Sequence, residues 1–166
     1  MPVRPVVRLP DPVLKRVADR VERIDAAALA LAEDLVDTMR ASPGCVGLAA
    51  PQLGESIQAF ALDVTGHKKA RSCHGLVVLF NPEILLAHGP VAGREGCMSI
   101  PDLTGEVARH DELVVRGLSL DGTERIYTVD AFEARAFQHE IDHVHGLLFL
   151  DRVSGHDSVF PRRIYR

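Results

Sequence analysis

The chain has 166 residues, a formal net charge of −4 and 46% hydrophobic residues, which is the size and composition of one folded domain. Its 19 Lys and Arg are scattered rather than gathered into a stripe, which disfavours direct sequence-specific nucleic-acid binding. No apolar run approaches the roughly 18 residues that cross a bilayer, and prolines and charges interrupt the N-terminus where a signal peptide needs an apolar core. We therefore expect a single domain over residues 1–166, a cytoplasmic monomer with no membrane contact.

The first predicted elements are two helices. The segment VLKRVADRV, residues 13–21, follows Pro10-Asp11-Pro12, and proline is tolerated in the first turn of a helix. From Asp25 to about Arg40, apolar residues recur at three- and four-residue steps, the period of a helix with one buried face. Ser42-Pro43-Gly44 ends this second helix, because the residue before a proline is disfavoured in the helical conformation.

The middle of the chain is predicted to form strands. Residues 60–64 alternate between apolar and small or polar side chains, and residues 76–80 form a short apolar run that Asn81-Pro82 ends. Farther along, the segments LVVRGLSL and TERIYTV flank Asp121-Gly122, a dipeptide suited to a tight hairpin because both residues can take positive φ. An antiparallel pair is expected there.

The last predicted element is a helix of about 15 residues, or about 22 Å in length. Asp130 stands at the expected N-cap, and Glu133 three residues later completes a capping-box pattern. Gly146 supplies the C-terminal stop. This helix carries the segment QHEIDHVHG, residues 138–146.

That segment contains a pattern typical of metal-dependent hydrolases. His139 and His143 lie one helical turn apart on the same face, and Glu140 stands beside the first of them. A further ligand must be a thiolate, imidazole or carboxylate from elsewhere in the fold. Cys97 is the best candidate, because Gly96 before it allows close backbone approach. The alternative is that both histidines are polar residues near a surface.

The other cysteines and histidines are not expected to be metal ligands. Cys45 and Cys73 are expected to be small buried or surface thiols. The other six histidines share no recognisable ligand spacing, so they are expected on the surface or in loops.

Three separated segments resemble the signature motifs of the peptide deformylase family, in the family's order. They are CVGLAAPQ (45–52), EGCMS (95–99) and QHEIDHVHG (138–146). The resemblance implies an α+β fold in which a central metal-binding helix packs among antiparallel β-sheets. It also implies a metal site made of Cys97, His139 and His143. The expected ion is Fe(II), with Zn, Ni or Co able to take its place.

The resemblance also implies an activity. Peptide deformylases remove the formyl group from the N-terminal formylmethionine of nascent polypeptides and release formate, so a bacterial, cytoplasmic enzyme acting on N-formylmethionyl peptides is expected. Glu140 would be the general acid and base, and the Gln52 amide and the Met98 backbone N–H would stabilise the developing oxyanion. The substrate-binding residues that the resemblance indicates are Val46, Gly47, Glu95, Gly96, Phe132 and Ala136.

Three positions depart from the commonest family pattern and bear on the shape of the pocket. Cys45 stands where the first motif usually begins with glycine, and Met98 and Val144 each replace a leucine. Two other functions stay open at this point. One is a different HExxH zinc peptidase, which would take a third His or Glu ligand farther along the chain. The other is a catalytically silent protein that binds formylpeptide or metal, against which the intact Glu140 argues.

The C-terminal segment PRRIYR, residues 161–166, is the one local concentration of basic charge. It could touch an acidic surface such as ribosomal RNA in a transient contact, although a solvated tail is the interpretation that the sequence favours.

Overall fold

The computed structural model describes residues 3–162, and its regular elements are two α-helices, four 3₁₀ turns and six strands. The helices are α1 (Ala26–Arg40) and α2 (Ala131–Val144). The 3₁₀ turns cover Pro12–Lys15, Ala50–Leu53, Phe149–Asp151 and His156–Ser158. The strands are β1 (Gly47–Ala49), β2 (Ala59–Leu62), β3 (Val77–Cys97), β4 (Ile100–Leu118), β5 (Glu124–Asp130) and β6 (Val159–Pro161).

The strands form one antiparallel sheet in the order β1-β2-β3-β4-β5. The longest part of the sheet is a hairpin of β3 and β4, which are paired from Phe80 opposite Leu118 to Cys97 opposite Ile100. The second half of β4 pairs with β5, and its first half pairs with β6 at residues 103–105. The predicted α+β fold is confirmed, and the predicted hairpin around Asp121-Gly122 is the β4–β5 connection.

The two helices pack on opposite faces of the sheet, because successive side chains of a strand point to opposite sides. On β2, Phe60 and Leu62 pack in the cluster that contains α2, while Ala59 and Ala61 pack in the cluster that contains α1. Asp25 accepts a hydrogen bond from the Ala28 N–H at 2.9 Å and begins α1 as predicted. Within residues 3–162, no helix is long and apolar enough to span a membrane.

The predicted end of a strand at Asn81-Pro82 is wrong. β3 continues through this point to Cys97, with a register shift between Phe80 and Glu83. Asn81 takes a positive φ of 52° there, and its side-chain amide donates to the Val21 carbonyl and accepts from the Val21 N–H at 2.7 and 2.8 Å. This anchored bulge bends the strand without ending it, since the amide satisfies backbone groups of a distant segment.

The first predicted helix forms only as the single 3₁₀ turn Pro12–Lys15. Beyond it the backbone N–H of Ala18 donates to the Val144 carbonyl, and that of Asp19 donates to the Ser56 carbonyl, each at 2.9 Å. These long-range bonds hold residues 18 and 19 extended, so the local helical pattern is overridden by tertiary contacts.

Helix α2 begins after Asp130 and ends before Gly146, whose φ of 77° is the left-handed conformation that stops a helix. The predicted capping box is wrong: no side-chain bond caps the N-terminus. Asp130 instead accepts from the Ser72 N–H, and Glu133 accepts from the Ser72 hydroxyl and the His74 N–H. Both carboxylates therefore hold the preceding loop against the helix.

Of the predicted basic tail, Pro161 and Arg162 belong to the described part of the chain. The rest of that prediction, at residues 163–166, lies outside the described residues.

Candidate metal centre and its cleft

Cys97 lies 42 positions before His139 and 46 before His143 in the sequence, yet the three side chains come together in the fold. Their potential ligand atoms lie within 4.8 Å of one another, and Cys97 Sγ is 3.4 Å from His143 Nε2. Among residues 3–162 this is the one group of three or more His, Cys, Asp or Glu that could hold a metal ion. The tight turn from β3 to β4 places the thiol over the α2 face that carries both histidines.

A buried ion-pair network orients His139. Its Nδ1 lies 2.9 Å from Oε1 of Glu95, which leaves Nε2 to face the thiol. Glu95 accepts two hydrogen bonds from Arg109, at 2.8 and 2.9 Å, and one from Arg135 at 2.7 Å. Arg109 also donates to Asp142 at 2.6 Å. The imidazole is thus held by a carboxylate whose own position two guanidinium groups secure.

The electrostatics of the cluster favour a thiolate. Burial alone would raise the pKa of Cys97, but the neighbouring His143 and His139 imidazoles outweigh it and hold that pKa well below its ordinary value. The thiolate is the form of cysteine that binds metals. Burial raises the pKa of Glu140, an effect that the same two imidazoles only partly oppose.

The cluster fits a divalent metal ion on its own chemistry. One thiolate and two imidazoles form a ligand set suited to zinc or to ferrous iron, and three protein ligands leave a coordination position open. Two buried side-chain atoms of the described residues have no hydrogen-bond partner, Oε2 of Glu140 and Nδ1 of His143. Both belong to residues of this cluster, and Oε2 of Glu140 is the unsatisfied atom that can face an ion and its water, since His143 turns Nε2 rather than Nδ1 toward the thiol.

The cluster opens into a cleft of about 260 Å³. We call its buried end the floor and its solvent-facing rim the mouth. The floor is formed by Gly47, Gln52, Glu95, Cys97, His139, Glu140 and His143. The mouth is formed by His67, Arg94, Phe132 and Arg162.

Two residues of the first motif contact the floor. A Cβ at Gly47 would lie 2.9 Å from Oε1 of Glu140, so only glycine fits beside that carboxylate. Gln52, in the 3₁₀ turn after β1, accepts from the Ala49 N–H at 3.0 Å. Its Nε2 lies 3.1 Å from the Ser99 hydroxyl and 3.5 Å from Cys97 Sγ. The amide donor therefore points at the cluster rather than at solvent.

Every predicted site residue other than His143 lines the cleft, and His143 belongs to the cluster at its floor. The set comprises Val46, Gly47, Gln52, Glu95, Gly96, Cys97, Met98, Phe132, Ala136, His139 and Glu140. Glu95 differs from the others, because both of its oxygens are occupied by the ion-pair network and it is 6% exposed.

Several residues of the cleft were not predicted from the sequence as site residues. His67, expected on the surface or in a loop, lies in a loop, and its ring stacks on Phe132 with ring centroids 3.7 Å apart and planes 2° from parallel. Burial, and after it the nearby Lys69 and Lys68, lower the pKa of His67, so this ring is neutral at pH 7. Arg94, Arg135 and Arg162 also line the cleft. No motif spacing marks any of them.

The two plainer thiols have different surroundings. Cys73 is exposed, as expected. Cys45 is half-buried in the wall of the cleft, where its Sγ donates to the Gly47 carbonyl at 3.1 Å. Burial and then the Glu140 carboxylate raise the pKa of Cys45 to about 12. It therefore stays a protonated thiol.

Comparison with known proteins gives consistent matches. The family model described as polypeptide deformylase matches residues 3–159. A peptide deformylase of Syntrophobacter fumaroxidans is 41% identical over 93% of this chain and 88% of that relative. One of Desulforudis audaxviator is 44% identical over 98% of this chain and 99% of the relative. The crystal structure of a peptide deformylase from Legionella pneumophila superimposes with a TM-score of 0.83 at 38% identity, covering 92% of this chain and 86% of that one.

Proposed function

The chain belongs to the polypeptide deformylase family, and from that premise we propose that Cys97, His139 and His143 are its metal ligands. Members of the family are metal-dependent hydrolases, and this chain is a peptide deformylase that removes the formyl group from N-terminal formylmethionine. The observation that carries the assignment of ligands is the convergence of one thiol and two imidazoles within 4.8 Å.

The proposed native ion is Fe(II), with Zn, Ni or Co able to occupy the same ligands. When bound, a divalent ion lowers the pKa of a water molecule and polarises a carbonyl oxygen. The chain's own contribution is to keep Cys97 as a thiolate and to present Nε2 of His139 through the bond between its Nδ1 and Glu95. Glu95 was expected to bind substrate; we instead assign it the positioning of His139, because none of its oxygens is free.

Glu140 is proposed to move the proton. Its carboxylate takes a proton from the attacking water and delivers it to the amine nitrogen that leaves from the formyl carbon. Three observations support this role. Oε2 is buried without a partner, Oε1 lies 4.0 Å from Nε2 of His139, and burial raises the pKa of the group, which makes it a better base than an exposed glutamate.

Two donors are proposed to stabilise the negative charge that develops on the formyl oxygen. They are Nε2 of Gln52 and the backbone N–H of Met98, and each such donor contributes about 3 kcal/mol to transition-state stabilisation. Support comes from the orientation of Gln52, whose carbonyl oxygen is held by the Ala49 N–H. The amide cannot flip without losing that bond, so its N–H groups stay directed toward Cys97.

The substrate is proposed to lie between β1 and the first turns of α2. Val46 and Gly47 border the cleft at the start of β1. Among the described residues β1 pairs with β2 alone, so its other edge can accept a peptide strand. Phe132 and Ala136 stand one turn apart on the wall from α2 and offer apolar surface to the methionine side chain. Gly96 also lines the cleft, before the proposed metal ligand Cys97.

The remaining expectations stay proposals. A single catalytic domain is supported by helices that pack on both faces of one sheet and by a family match over residues 3–159. Action on nascent N-formylmethionyl chains in the bacterial cytoplasm, a monomeric state and a transient ribosome contact follow from the family resemblance.

Residues of the cleft argue against both alternative functions. Another zinc peptidase would need a third His or Glu ligand, whereas Cys97 takes that position beside the imidazoles among the described residues. A silent binding protein has no need of the close fit between Gly47 and the Glu140 carboxylate.

The test is anaerobic metal analysis combined with a formate assay on the wild type and on Cys97→Ser. The wild type should hold one ion per chain and release formate from formyl-Met-Ala-Ser while leaving the unformylated peptide intact. Cys97→Ser should lose metal and turnover together, and Cys73→Ser, at an exposed thiol, serves as the matched control. An unchanged metal content in Cys97→Ser would remove the thiol from the ligand set.

A further inference from the structure

Two guanidinium groups at the mouth of the cleft have no acidic partner among the described residues. Arg94 is exposed near the end of β3, and Arg162 is half-buried directly after β6. Both line the cleft that holds the metal cluster. Within residues 3–162, neither has a carboxylate oxygen within 4.0 Å, the distance that defines the ion pairs of the structure.

Arg162 lies against the backbone of the residue that precedes Cys97. Its Nη2 lies at the point where a Cβ at Gly96 would stand, so the guanidinium occupies the space that the glycine leaves. The backbone holds it there, because β6 pairs with β4 at residues 103–105 and the Arg162 N–H donates to the Asp102 carbonyl at 2.9 Å.

Arg94 is held by a different set of contacts. Its guanidinium carbon lies 3.8 Å from the ring centroid of Phe160 on β6, a cation–π arrangement. One of its five donor positions is used, by a bond from Nη1 to the Thr104 hydroxyl at 3.3 Å. Among the described residues no other hydrogen bond engages this guanidinium, and the residue lines the cleft. The stack fixes the plane of the guanidinium, which lowers the entropy lost when a carboxylate binds to it.

The acidic groups of the same cleft do not neutralise this charge. Glu95 is saturated by Arg109, Arg135 and His139. Glu140 lies at the floor beside the imidazoles, buried to 3% exposure. The mouth therefore carries two positive charges in a chain whose formal net charge is −4. A ligand carboxylate at this point would supply the bidentate partner that no described carboxylate of the protein provides to these guanidinium groups.

We propose that Arg94 and Arg162 make the enzyme selective for formylated peptides with an Asp or Glu side chain at one of the second to fourth positions. The inference rests on the proposed function, in which the formyl group lies at the floor and the chain after formylmethionine leaves past Gly96 and the mouth. Partly exposed guanidinium–carboxylate pairs of this kind change affinity by about two- to fivefold each.

The experiment compares formyl-Met tetrapeptide amides in which one of positions two to four is Glu, Gln or Lys. Amidation leaves the tested side chain as the only variable charge. Values of kcat/KM from formate release are measured for the wild type, Arg94→Gln, Arg162→Gln and the double variant. Arg125→Gln, at an exposed arginine of β5 that lines no part of the cleft, is the matched control.

The wild type is expected to prefer Glu over Lys by roughly five- to twentyfold at one position at least, and about 0.5 M salt should reduce this ratio. The double variant should bring the ratio close to one, Arg125→Gln should leave it unchanged, and Arg162→Lys should keep part of it. Equal rates for Glu and Lys peptides at all three positions, or a preference that survives in the double variant, would overturn the inference. Failure of the wild type to release formate from the neutral Gln peptides would instead contradict the proposed function.

Discussion

The floor and the mouth of the cleft both contain arginines, but those near the floor are buried and paired with carboxylates, whereas those at the mouth are accessible and unpaired in the described part of the chain. At the floor, the arginines that hold the site, Arg109 and Arg135, are buried and share the carboxylate of Glu95. At the mouth, Arg94 and Arg162 are accessible and have no carboxylate partner in the described residues. Arginine is always charged, so its environment alone decides whether that charge is structural or free to meet a ligand.

The energetic consequences differ accordingly. Removing one partner from a buried ion pair leaves an unpaired charge and costs about 3–5 kcal/mol, whereas an exposed pair contributes about 0.2–1 kcal/mol. Substitutions at the floor are therefore expected to change chemistry, metal binding and stability. Substitutions at the mouth should change which substrate is preferred. Four predictions test this division.

The largest effect is expected for Glu140→Gln at the floor. The amide keeps the volume of the carboxylate but cannot accept the water proton, so kcat should fall by about 10²- to 10⁴-fold. Metal content should stay at the wild-type level, since Glu140 is not among the three proposed ligand residues. Formate release and metal analysis on the same preparation measure both quantities. Glu33→Gln on the exposed face of α1 is the control, and a near-normal rate in Glu140→Gln would rule out the proton-transfer role.

The next effect is expected for Gln52→Leu, which removes the amide donor from the floor while keeping most of the side-chain volume. Loss of one donor to a developing oxyanion lowers kcat by about 10²- to 10³-fold. The matched control is Gln58→Leu, because Gln58 is also buried but donates to the Ala18 carbonyl outside the cleft. Steady-state kinetics on fully metal-loaded enzyme separates the two, and a similar loss of kcat in both variants would point to a general loss of structure.

A smaller catalytic effect is expected for Glu95→Gln, which weakens the bond to Nδ1 of His139 and leaves Arg109 and Arg135 without their shared charge. Loss of such a bond behind a metal ligand lowers metal affinity by about 10- to 100-fold. The melting temperature should fall as well, because the two guanidinium groups stay buried. Competition with a chelator measures the affinity. Glu83→Gln, which breaks an exposed pair with Arg116 at 2.7 Å, should change neither quantity.

The smallest effect of the four is expected at the mouth, for His67→Ala. The change removes the ring that stacks on Phe132 and opens one wall beside the proposed methionine pocket. An aromatic pair contributes about 0.5–1.5 kcal/mol beyond its buried area, so KM should rise by about three- to tenfold with kcat nearly unchanged. Kinetics with formyl-Met-Ala-Ser provide the measurement, and His156→Ala, at a fully solvated ring, is the control. An equal fall in kcat would place His67 in the chemistry instead.

Much of the fold and of the floor could be predicted from the sequence, because the signals are local. Asp25 begins α1, Gly146 ends α2, and Asp121-Gly122 lies in the turn of a hairpin, each through contacts within a few residues. The two histidines of the metal cluster share a helix face by virtue of a four-residue spacing alone. Cys97 was found through its motif, since nothing local shows which distant segment faces the helix.

The predictions that were wrong concern residues whose hydrogen-bond partners lie far along the chain. Asn81 continues a strand because its amide bonds to Val21, 60 residues away. Asp130 and Glu133 leave the N-terminus of α2 uncapped because Ser72 and His74 occupy their carboxylates. Side-chain hydrogen bonds of this kind compete with the local conformational propensity. They determine the local structure only after the distant segments have come together.

The sequence by itself determined the chemistry at the floor: two imidazoles, a carboxylate between them and a thiolate donor, all carried in short motifs whose residue types have few other uses. The tertiary structure alone decided what surrounds that chemistry. Pairing of β6 with β4 brings Arg162 onto Gly96, 66 positions earlier in the numbering, and a loop of no recognisable pattern lays His67 on Phe132. The charged and aromatic side chains at the mouth contact one another only after distant segments have packed together. Such contacts have no fixed spacing in the sequence, so the sequence does not predict them.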